Sequence, residues 1–259
     1  MQPTLYIPHG GGPCFFMEWP GDPWKKMEAY LRTLPSTLAE QPRAILVISA
    51  HWERDMPTVT ANPQPPPIYD YTGFPTHTYE LRYDAPGSPE LAQRVRDLLT
   101  AAGIASASDE RRGLDHGAFV PLKVIYPEAR IPVVQLSLQS GYDPQRHLAI
   151  GAAIAPLRRE GVLVLGSGMS YHNLGRIFDG RDDGAAAFDA WLGEAALAPA
   201  PVRAERFIEW ERAPFAREAH PEEDHLVPLF VAAGAAGLGA SLDYHDTVYG
   251  KALSAFRFT

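Results

Sequence analysis

The fold is decided by Arg43–Glu53, a stretch that reads RAILVISAHWE. Its segment Ala44–Ser49 is almost entirely apolar, which is typical of a strand in a sheet that is covered on both faces. The apolar run then ends abruptly in the polar residues around His51. The stretch therefore predicts a buried strand that delivers a histidine to the edge of a sheet.

Similar strands alternate with helices along the rest of the chain. The further predicted strands are Thr4–Ile7, Ile131–Leu138, Gly161–Leu165 and one within Tyr249–Phe258. The predicted helices are Ser88–Ala102, Ala118–Tyr126, Pro144–Arg159, Ala185–Ala196, one within Asp22–Leu38 and one within His220–Gly237. No internal repeat or change in composition marks a boundary. This alternation predicts an α/β fold with a single domain over residues 1–259, a central, mainly parallel or mixed sheet and helices on both faces.

The composition is that of a globular protein, with 46% hydrophobic and 21% charged residues. No window approaches the roughly 18 consecutive apolar residues of a membrane span, and the N-terminus does not resemble a signal peptide, so we expect a cytoplasmic location without membrane association. The net charge of -8 and the short basic clusters argue against a nucleic-acid partner. The single cysteine, Cys14, excludes an intramolecular disulfide and a thiolate metal cluster.

Five of the nine histidines lie in short polar motifs beside predicted buried elements. They are His9 and His51 after the first two strands, His172 after Gly161–Leu165, His116 in a glycine-flanked turn, and His225 at the start of a helix placed by Pro228. In open α/β sheets, ligands bind beyond the carboxyl ends of the strands. The pattern therefore favours a metal site or an acid–base site. We interpret His77, His147 and His245 as surface or structural residues.

Without a set of cysteines, the metal ligands would be imidazoles and carboxylates, which suit Fe(II), Zn(II), Mn(II) or Cu. The candidates are far apart in the sequence: His51 lies 42 residues after His9, and His225 lies 174 residues after His51. Such a set requires a rigid scaffold, unlike a zinc finger. No HExxH motif and no His-x-His pair occurs, so zinc proteases and amidohydrolases find no support.

Six motifs, in order along nearly the whole chain, resemble those of the class III extradiol ring-cleavage dioxygenases. They are PHGGGP (8–13), ISAHWE (48–53), GFPTHTYELRYDAPGSPELA (73–92), GLDHGAFVPLKVIYPEARIPVVQLSL (113–138), VLGSGMSYHNL (164–174) and HPEEDHLVPLFVAAGAA (220–236). The resemblance is to the LigB-like superfamily and, within it, to the 4,5-DOPA dioxygenase-like branch. Six ordered motifs are far more specific than any one of them.

The resemblance implies a catalytic domain that cleaves a catechol ring with O2 at a mononuclear non-haem metal site. By position, His9, His51 and His225 resemble the metal ligands. The third ligand is a glutamate in the broader superfamily, so Glu223 and Asp224 are alternatives to His225. Fe(II) is the implied metal, and Zn(II) is the alternative, including as the metal found in the purified protein.

The resemblance also implies roles for two further histidines. His172 resembles the acid–base residue of the family, and whether it also binds the metal is left open. His116 resembles a second active-site histidine that contacts substrate or oxygen. An imidazole, with an ordinary pKa of about 6.5, suits the proton transfers that a catechol needs when it binds.

Several residues near these motifs have two interpretations. The aromatic segment Tyr69–Tyr83 is expected to line the substrate entrance, and core filling is the competing interpretation. Asp115 either orients an imidazole or forms a turn. Trp52 is interpreted as a packing residue and Cys14 as a structural one.

Two other functions compete with ring cleavage. One is a zinc-dependent hydrolase or amidase with a metal-bound water, and the other is a non-catalytic metal-binding relative. The presence of both His116 and His172 disfavours the second. The expected partners are a small aromatic diol and O2, and a homo-oligomer is left open. If the diol carries a carboxylate, the candidates for pairing with it are Arg82, Arg176 and Arg217.

Overall fold

The computed structural model describes all residues, Met1–Thr259, and its eight strands form one mixed sheet. The strands are β1 (Thr4–Pro8), β2 (Ala44–Arg54), β3 (Thr58–Thr60), β4 (Ala107–Asp109), β5 (Val133–Gln139), β6 (Val162–Gly168), β7 (Ala240–Val248) and β8 (Lys251–Phe258). Their order across the sheet is β4-β3-β5-β2-β6-β1-β8-β7. The central strands β5, β2, β6 and β1 are mutually parallel, and the β7–β8 hairpin joins β1 in antiparallel orientation.

Eight helices cover the sheet on both faces, which confirms the predicted fold class. They are α1 (Lys25–Thr37), α2 (Pro89–Ala101), α3 (His116–Ile125), α4 (Pro144–Ile154), α5 (Ala185–Leu197), α6 (Ala200–Ile208), α7 (Ala216–Ala219) and α8 (Val227–Gly234). Helix α3 packs on β2 and against α1, whereas α8 packs on β6 and β1 and against α4. None of these helices is both long and apolar enough to cross a membrane.

Strand β2 lies at the centre of the sheet, between β5 and β6. Its segment from Ile45 to Ile48 is fully buried, as expected for a strand covered on both sides. The strand runs on to Arg54, five residues beyond the predicted end at Ser49, and its register against β5 shifts between Ile48 and Glu53. This irregularity, of the kind that bends a strand and redirects its side chains, falls around His51 near the carboxyl end of β2.

Most predicted boundaries agree with the structure to within a few residues. The Ser88 hydroxyl accepts a hydrogen bond from the Leu91 N–H at 3.1 Å and caps α2, as its position before Pro89 predicts. Pro228 lies in the first turn of α8, where a missing N–H removes no intrahelical bond. The predicted helix Pro144–Arg159 ends earlier, at Ile154, and continues as a 3₁₀ turn. The sequence analysis missed the short strands β3 and β4, the edge strand β7, and the helices α6 and α7.

Candidate active site

The five histidines selected from the sequence line one cavity of about 450 Å³. His9 follows β1, His51 lies near the end of β2, and His172 follows β6. His116 is the first residue of α3, and His225 comes two residues before α8. Because β1, β2 and β6 are parallel, their carboxyl ends meet at one edge of the sheet, where α/β proteins bind ligands.

Three of these histidines form a candidate metal-binding set. One ring nitrogen from each of His9, His51 and His225 can be chosen so that all three lie within 4.8 Å of one another. His9 Nε2 and His51 Nε2 lie 3.2 Å apart. Two nitrogens bound to the same ion at about 2.1 Å would be about 3 Å apart, so this spacing fits a shared metal.

The tautomer of His9 is set by its neighbour Ser167. The Ser167 hydroxyl donates to the carbonyl of Gly117, so its lone pair is free to accept from His9 Nδ1–H, 3.2 Å away. The proton of His9 therefore lies on Nδ1, and the lone pair of Nε2 faces His51. A hydrogen bond to the second ring nitrogen is the usual way in which a protein orients an imidazole ligand.

The same three imidazoles are held in the neutral form that binds metals. Burial, and then the charge of His51, lowers the pKa of His9 well below its ordinary value. Burial, and then the charge of His116, lowers the pKa of His51 to about 3. Burial, and then the charge of His172, lowers the pKa of His225 well below its ordinary value. A buried set of three neutral nitrogen donors thus fits a divalent non-haem metal ion.

Contacts from β1 and from the residue after β6 hold the backbone of His225 in place. Its carbonyl accepts hydrogen bonds from Tyr6 Oη at 2.8 Å and from the Met169 N–H at 3.1 Å. The same carbonyl lies only 2.1 Å from the position that a Cβ at Gly168 would occupy. The carboxyl end of β6 can therefore approach His225 so closely only because residue 168 is glycine.

We predict that Gly168→Ala lowers the free energy of unfolding by about 1–3 kcal/mol, because the new methyl group must displace the backbone of His225. The measurement is urea denaturation of the metal-free protein. Gly193→Ala is the control, because nothing lies within 4 Å of a Cβ at that position in α5. That variant should be more stable by about 0.5–1 kcal/mol. A Gly168→Ala protein as stable as the parent would contradict the close packing.

Asp70 orients His116 and was not selected from the sequence. Its Oδ1 accepts hydrogen bonds from both the backbone N–H and the ring Nδ1 of His116, each at 2.9 Å. Burial alone would raise the pKa of Asp70, but these hydrogen bonds and the charge of His116 outweigh it and lower the pKa. His116 is thus left with Nε2 as its free nitrogen. Its ring lies 3.9 Å from that of His51, centroid to centroid.

His172 stacks on His225, with ring centroids 3.3 Å apart and an interplanar angle of 14°. Burial, and then the charge of His51, lowers the pKa of His172 to about 3. Its Nδ1 lies 3.9 Å from Asp224 Oδ1, so His172 has a carboxylate nearby without a direct hydrogen bond to it. Burial raises the pKa of that carboxyl group, Asp224, to about 7.

The two alternative carboxylate ligands occupy different positions. Glu223 Oε2 accepts a hydrogen bond from Arg217 Nη1 at 2.6 Å, and Glu223 does not line the cavity. Asp224 does line the cavity, and its carboxylate groups with His172 and His225. The residue that groups with His9 and His51 is His225, and neither carboxylate belongs to that set.

The aromatic segment Tyr69–Tyr83 has two environments: part of it lines the cavity, and part of it fills the core, as the competing interpretation expected. Tyr71 and Phe74 line the cavity. Tyr69 instead donates a hydrogen bond to the carbonyl of Leu81 at 2.7 Å, and Tyr83 is buried in the core. The segment therefore both walls the cavity and anchors that wall to the core.

The interpretation that Asp115 directly orients an imidazole is wrong. Its buried carboxylate accepts hydrogen bonds from Ser49 Oγ at 2.6 Å, from Gln135 Nε2 at 2.8 Å and from Arg112 Nη2 at 3.1 Å. Ser49 Oγ in turn accepts the backbone N–H of His51 at 3.2 Å. A fully buried carboxylate needs such partners, and these ones connect β2 to the start of α3.

Trp52 and Cys14 have the packing roles that the sequence indicated. Trp52 is buried, and the guanidinium carbon of Arg112 lies 4.5 Å from the centre of its ring. Cys14 is buried and free, and burial raises the pKa of its thiol. A thiol that stays protonated is a poor nucleophile and a poor metal ligand, which agrees with a structural role for Cys14.

Residues 3–254 match the family described as the catalytic LigB subunit of aromatic ring-opening dioxygenase. The chain belongs to the LigB family. It is 43% identical to the 4,5-DOPA dioxygenase extradiol of Beta vulgaris over 100% of this chain and 97% of that protein. It is 44% identical to the protein of the same name from Portulaca grandiflora, over 85% of this chain and 83% of that protein.

A solved structure supports the same assignment. An uncharacterised protein of Escherichia coli K12 matches with a TM-score of 0.80 and 27% identity, and 100% of both chains is covered. The predicted LigB-like fold and the predicted enzyme class, a class III extradiol ring-cleavage dioxygenase, are thereby confirmed. LigB dioxygenases use a non-haem metal, and the three-histidine set described above fits one.

The remaining four histidines of this LigB protein lie outside the cavity. His147 is buried, and its Nε2 accepts a hydrogen bond from the backbone N–H of Gln139 at 3.0 Å. His77 and His245 are at the surface. His220, which the sequence analysis left without interpretation, packs against Phe188, and its Nε2 lies 3.0 Å from the carbonyl of Ser170.

We predict that acid destabilises the metal-free protein between pH 7 and pH 5. Burial lowers the pKa of His220 to about 3, whereas an unfolded histidine titrates near 6.5. Between these two pKa values only the unfolded chain binds the proton. The stabilisation that comes from keeping His220 neutral is therefore complete above about pH 6.5 and is lost progressively on acidification. The pKa values of four site histidines are lowered in the same way, so these residues add to the loss of stability; they are His9, His51, His172 and His225. Asp224 opposes the loss, because its raised pKa lets the folded protein bind one proton in this pH range.

The measurement is urea denaturation of the metal-free protein at pH 7 and at pH 5. The buried His220 alone should contribute up to about 1.4 kcal/mol per pH unit. His220→Gln removes that titration and should therefore reduce the difference between the two pH values. Equal stability at both pH values would contradict the neutral state of the buried histidines.

Proposed function

We propose that the protein cleaves the ring of a catechol beside its two hydroxyl groups, at one Fe(II) held by His9, His51 and His225. The observation that carries this proposal is the convergence of five imidazoles on one cavity, three of them with nitrogens within 4.8 Å of one another. When bound, the ion would supply open positions for the two catechol oxygens and for O2, and the redox chemistry that joins them. Zn(II) could occupy the same three nitrogens in the purified protein.

The residues around the ion would bind the diol and move its protons. We propose that His172 accepts a proton as the catechol binds and returns it later in the reaction. His116 would donate to or accept from the diol or oxygen through Nε2, because Asp70 occupies its Nδ1. Tyr71 and Phe74 line the cavity, so they would contact the flat ring and exclude water from it.

The test is anaerobic reconstitution with Fe(II), followed by a panel of catechols and O2. We expect oxygen uptake in proportion to the catechol consumed, together with the yellow colour of a ring-opened semialdehyde. The matched sample contains Zn(II) in place of Fe(II) and should be inactive. Turnover with zinc alone would overturn the proposal and would favour a zinc hydrolase. Metal binding without turnover of any catechol would favour a non-catalytic relative.

A further inference from the structure

One part of the cavity wall is formed by residues 173–184, a loop without helix or strand that leads into α5. Its Leu174 and Phe178 line the cavity, although these residues are 70% and 59% exposed. Other residues of the wall, such as Trp24 and Tyr71, belong to the hydrophobic core. Core packing therefore fixes one part of the wall, and the position of the 173–184 loop needs another explanation.

The middle of this loop is tied to the sheet by Lys251, the first residue of β8, whose side chain is fully buried. Its ammonium group donates hydrogen bonds to Asp179 Oδ1 at 2.9 Å and to the carbonyl of Arg181. It also lies 3.6 Å from Asp183 Oδ2. All three oxygens belong to the loop, and a buried charge needs such partners because it has lost its hydration. Arg176, 3.9 Å from Asp183, belongs to the loop itself and so cannot tie it to the sheet.

The turn of the β7–β8 hairpin contacts the same loop beside Lys251. A Cβ at Gly250 would lie 2.7 Å from the carbonyl oxygen of Gly180, so the turn approaches the loop closely only because residue 250 is glycine. The ring of Tyr249 lies edge-on to Phe178, with centroids 5.1 Å apart, and edge-on to Trp24 at 6.0 Å. The turn therefore touches both the loop and the core-packed part of the cavity wall.

Apolar packing contributes little to the middle of the loop. Ile177 is its only buried side chain. The two ends are anchored elsewhere: the side chain of Asn173 donates a hydrogen bond to the carbonyl of Glu218 at 2.8 Å, and Gly184 packs under the ring of Phe215. Segments with few buried apolar contacts open locally at a low free energy. The middle of the loop thus depends on the buried ammonium group.

We propose that Lys251 is a positioning residue that holds the 173–184 loop against the cavity and thereby places Phe178 on the ring of a bound catechol. Without the ammonium group, the carboxylates of Asp179 and Asp183 would face an apolar site without a cation, so they would turn to water and release the loop. A ligand would then have to close the loop as it binds, which lowers its apparent affinity. This inference rests on the proposed function for the identity of the ligand.

The first test measures loop opening without any ligand. Because Ile177 is buried, trypsin can cleave the bond after Arg176 only when the loop opens, so the rate of this cleavage follows the open population. Lys251→Met keeps a long apolar side chain but removes the charge. We expect cleavage after Arg176, followed by mass spectrometry at low trypsin, to be at least about tenfold faster in this variant, which corresponds to about 1.4 kcal/mol.

The matched control removes another lysine that pairs with the same hairpin. Lys26 lies 2.7 Å from Asp246 of β7, but its side chain is 75% exposed. Because an exposed ion pair contributes little, Lys26→Met should be cleaved after Arg176 at the rate of the parent.

A second variant removes the contact from the loop side and decides the question if Lys251→Met does not fold. It is the double variant Asp179→Ala/Asp183→Asn, in which both positions are partly exposed. Asparagine is chosen at position 183 because the backbone there has a positive φ of 47°, which asparagine tolerates. The double variant should show the same faster cleavage. Cleavage at the parent's rate in this variant, or in folded Lys251→Met, would overturn the inference.

The second test measures the consequence for the ligand. Calorimetry without oxygen gives the Kd of 4-methylcatechol for the zinc-loaded proteins, and we expect it to rise about three- to tenfold in both variants. With iron, KM should rise in parallel while kcat stays within about twofold, because Phe178 contacts the ring equally in the ground state and the transition state. A general folding defect would instead lower the number of binding sites and kcat. A fall in kcat with unchanged Kd and KM would contradict the positioning role.

The two tests separate this inference from the proposed function. If the parent binds no catechol and consumes no oxygen, ring cleavage is wrong, and the trypsin measurement alone decides whether Lys251 holds the loop. If oxygen is consumed and both variants bind 4-methylcatechol as the parent does, ring cleavage stands and the inference is wrong.

Discussion

Replacing His225 with alanine is expected to weaken metal binding by more than about 100-fold, since even the loss of a residue that only orients a ligand costs 10–100-fold. His225 is buried, and it is the residue whose ring nitrogen completes the set with His9 and His51. Two neutral imidazoles would remain, and they hold a divalent ion poorly. The measurement is a competitive titration of the purified variant with Fe(II) and Zn(II), together with the metal content after dialysis.

Two neighbouring variants serve as controls for the choice of the third ligand. Glu223→Gln should bind metal as the parent does, because that carboxylate is held by Arg217 away from the cavity. Asp224→Asn should weaken metal binding less than His225→Ala does, because its carboxylate does not belong to the set with His9 and His51 but lies 2.8 Å from His225 Nδ1, where it can only orient that ring. Loss of metal in either carboxylate variant, with retention in His225→Ala, would contradict the three-histidine site.

Replacing His172 with alanine is expected to leave the metal bound and to lower kcat by about 10²–10⁴-fold, the usual contribution of a positioned acid–base group. The ring of His172 stacks on His225 and lines the cavity, so it is within reach of a bound diol. The measurement combines the metal content of the variant with its rate of oxygen uptake at saturating catechol.

The control for His172 is a histidine outside the cavity. His245→Gln keeps a side chain that can donate a hydrogen bond to Asp189, its partner at 3.1 Å, and should retain kcat within about twofold. If His172→Ala retains both metal and near-normal turnover, the acid–base assignment is wrong. If the variant loses its metal, His172 is a ligand.

The sheet was predictable wherever burial leaves a simple pattern. The apolar run before His51 indicated a central strand, because a strand covered on both faces tolerates few polar residues. Strand β7 was missed because it lies at the edge of the sheet, and most of its side chains are partly or fully exposed. Helix α6 was missed because it has only nine residues, begins directly after Pro199 and carries a second proline, Pro201, in its first turn.

The candidate site was predictable as a list of histidines but not as a network. Because each of these histidines lies next to a buried element, local sequence was sufficient to select them. Asp70 was missed because it lies in a segment without a periodic pattern and because its partner His116 lies 46 residues away, beyond α2 and β4. Ser167 lies within the motif VLGSGMSYHNL (164–174), but nothing in the sequence singled out its hydroxyl, which sets the tautomer of His9. Such contacts become visible only when the chain is folded.

Ring cleavage at the three-histidine site is tested most directly by isotope labelling with the iron-loaded protein. The protein is mixed with a catechol that it binds, under ¹⁸O₂, and the ring-opened product is analysed by mass spectrometry after the solvent-exchangeable label has been accounted for. We expect both atoms of one O2 molecule in the product, and no product from His225→Ala. A product that carries oxygen from water alone, or equal turnover with Zn(II), would contradict a dioxygenase.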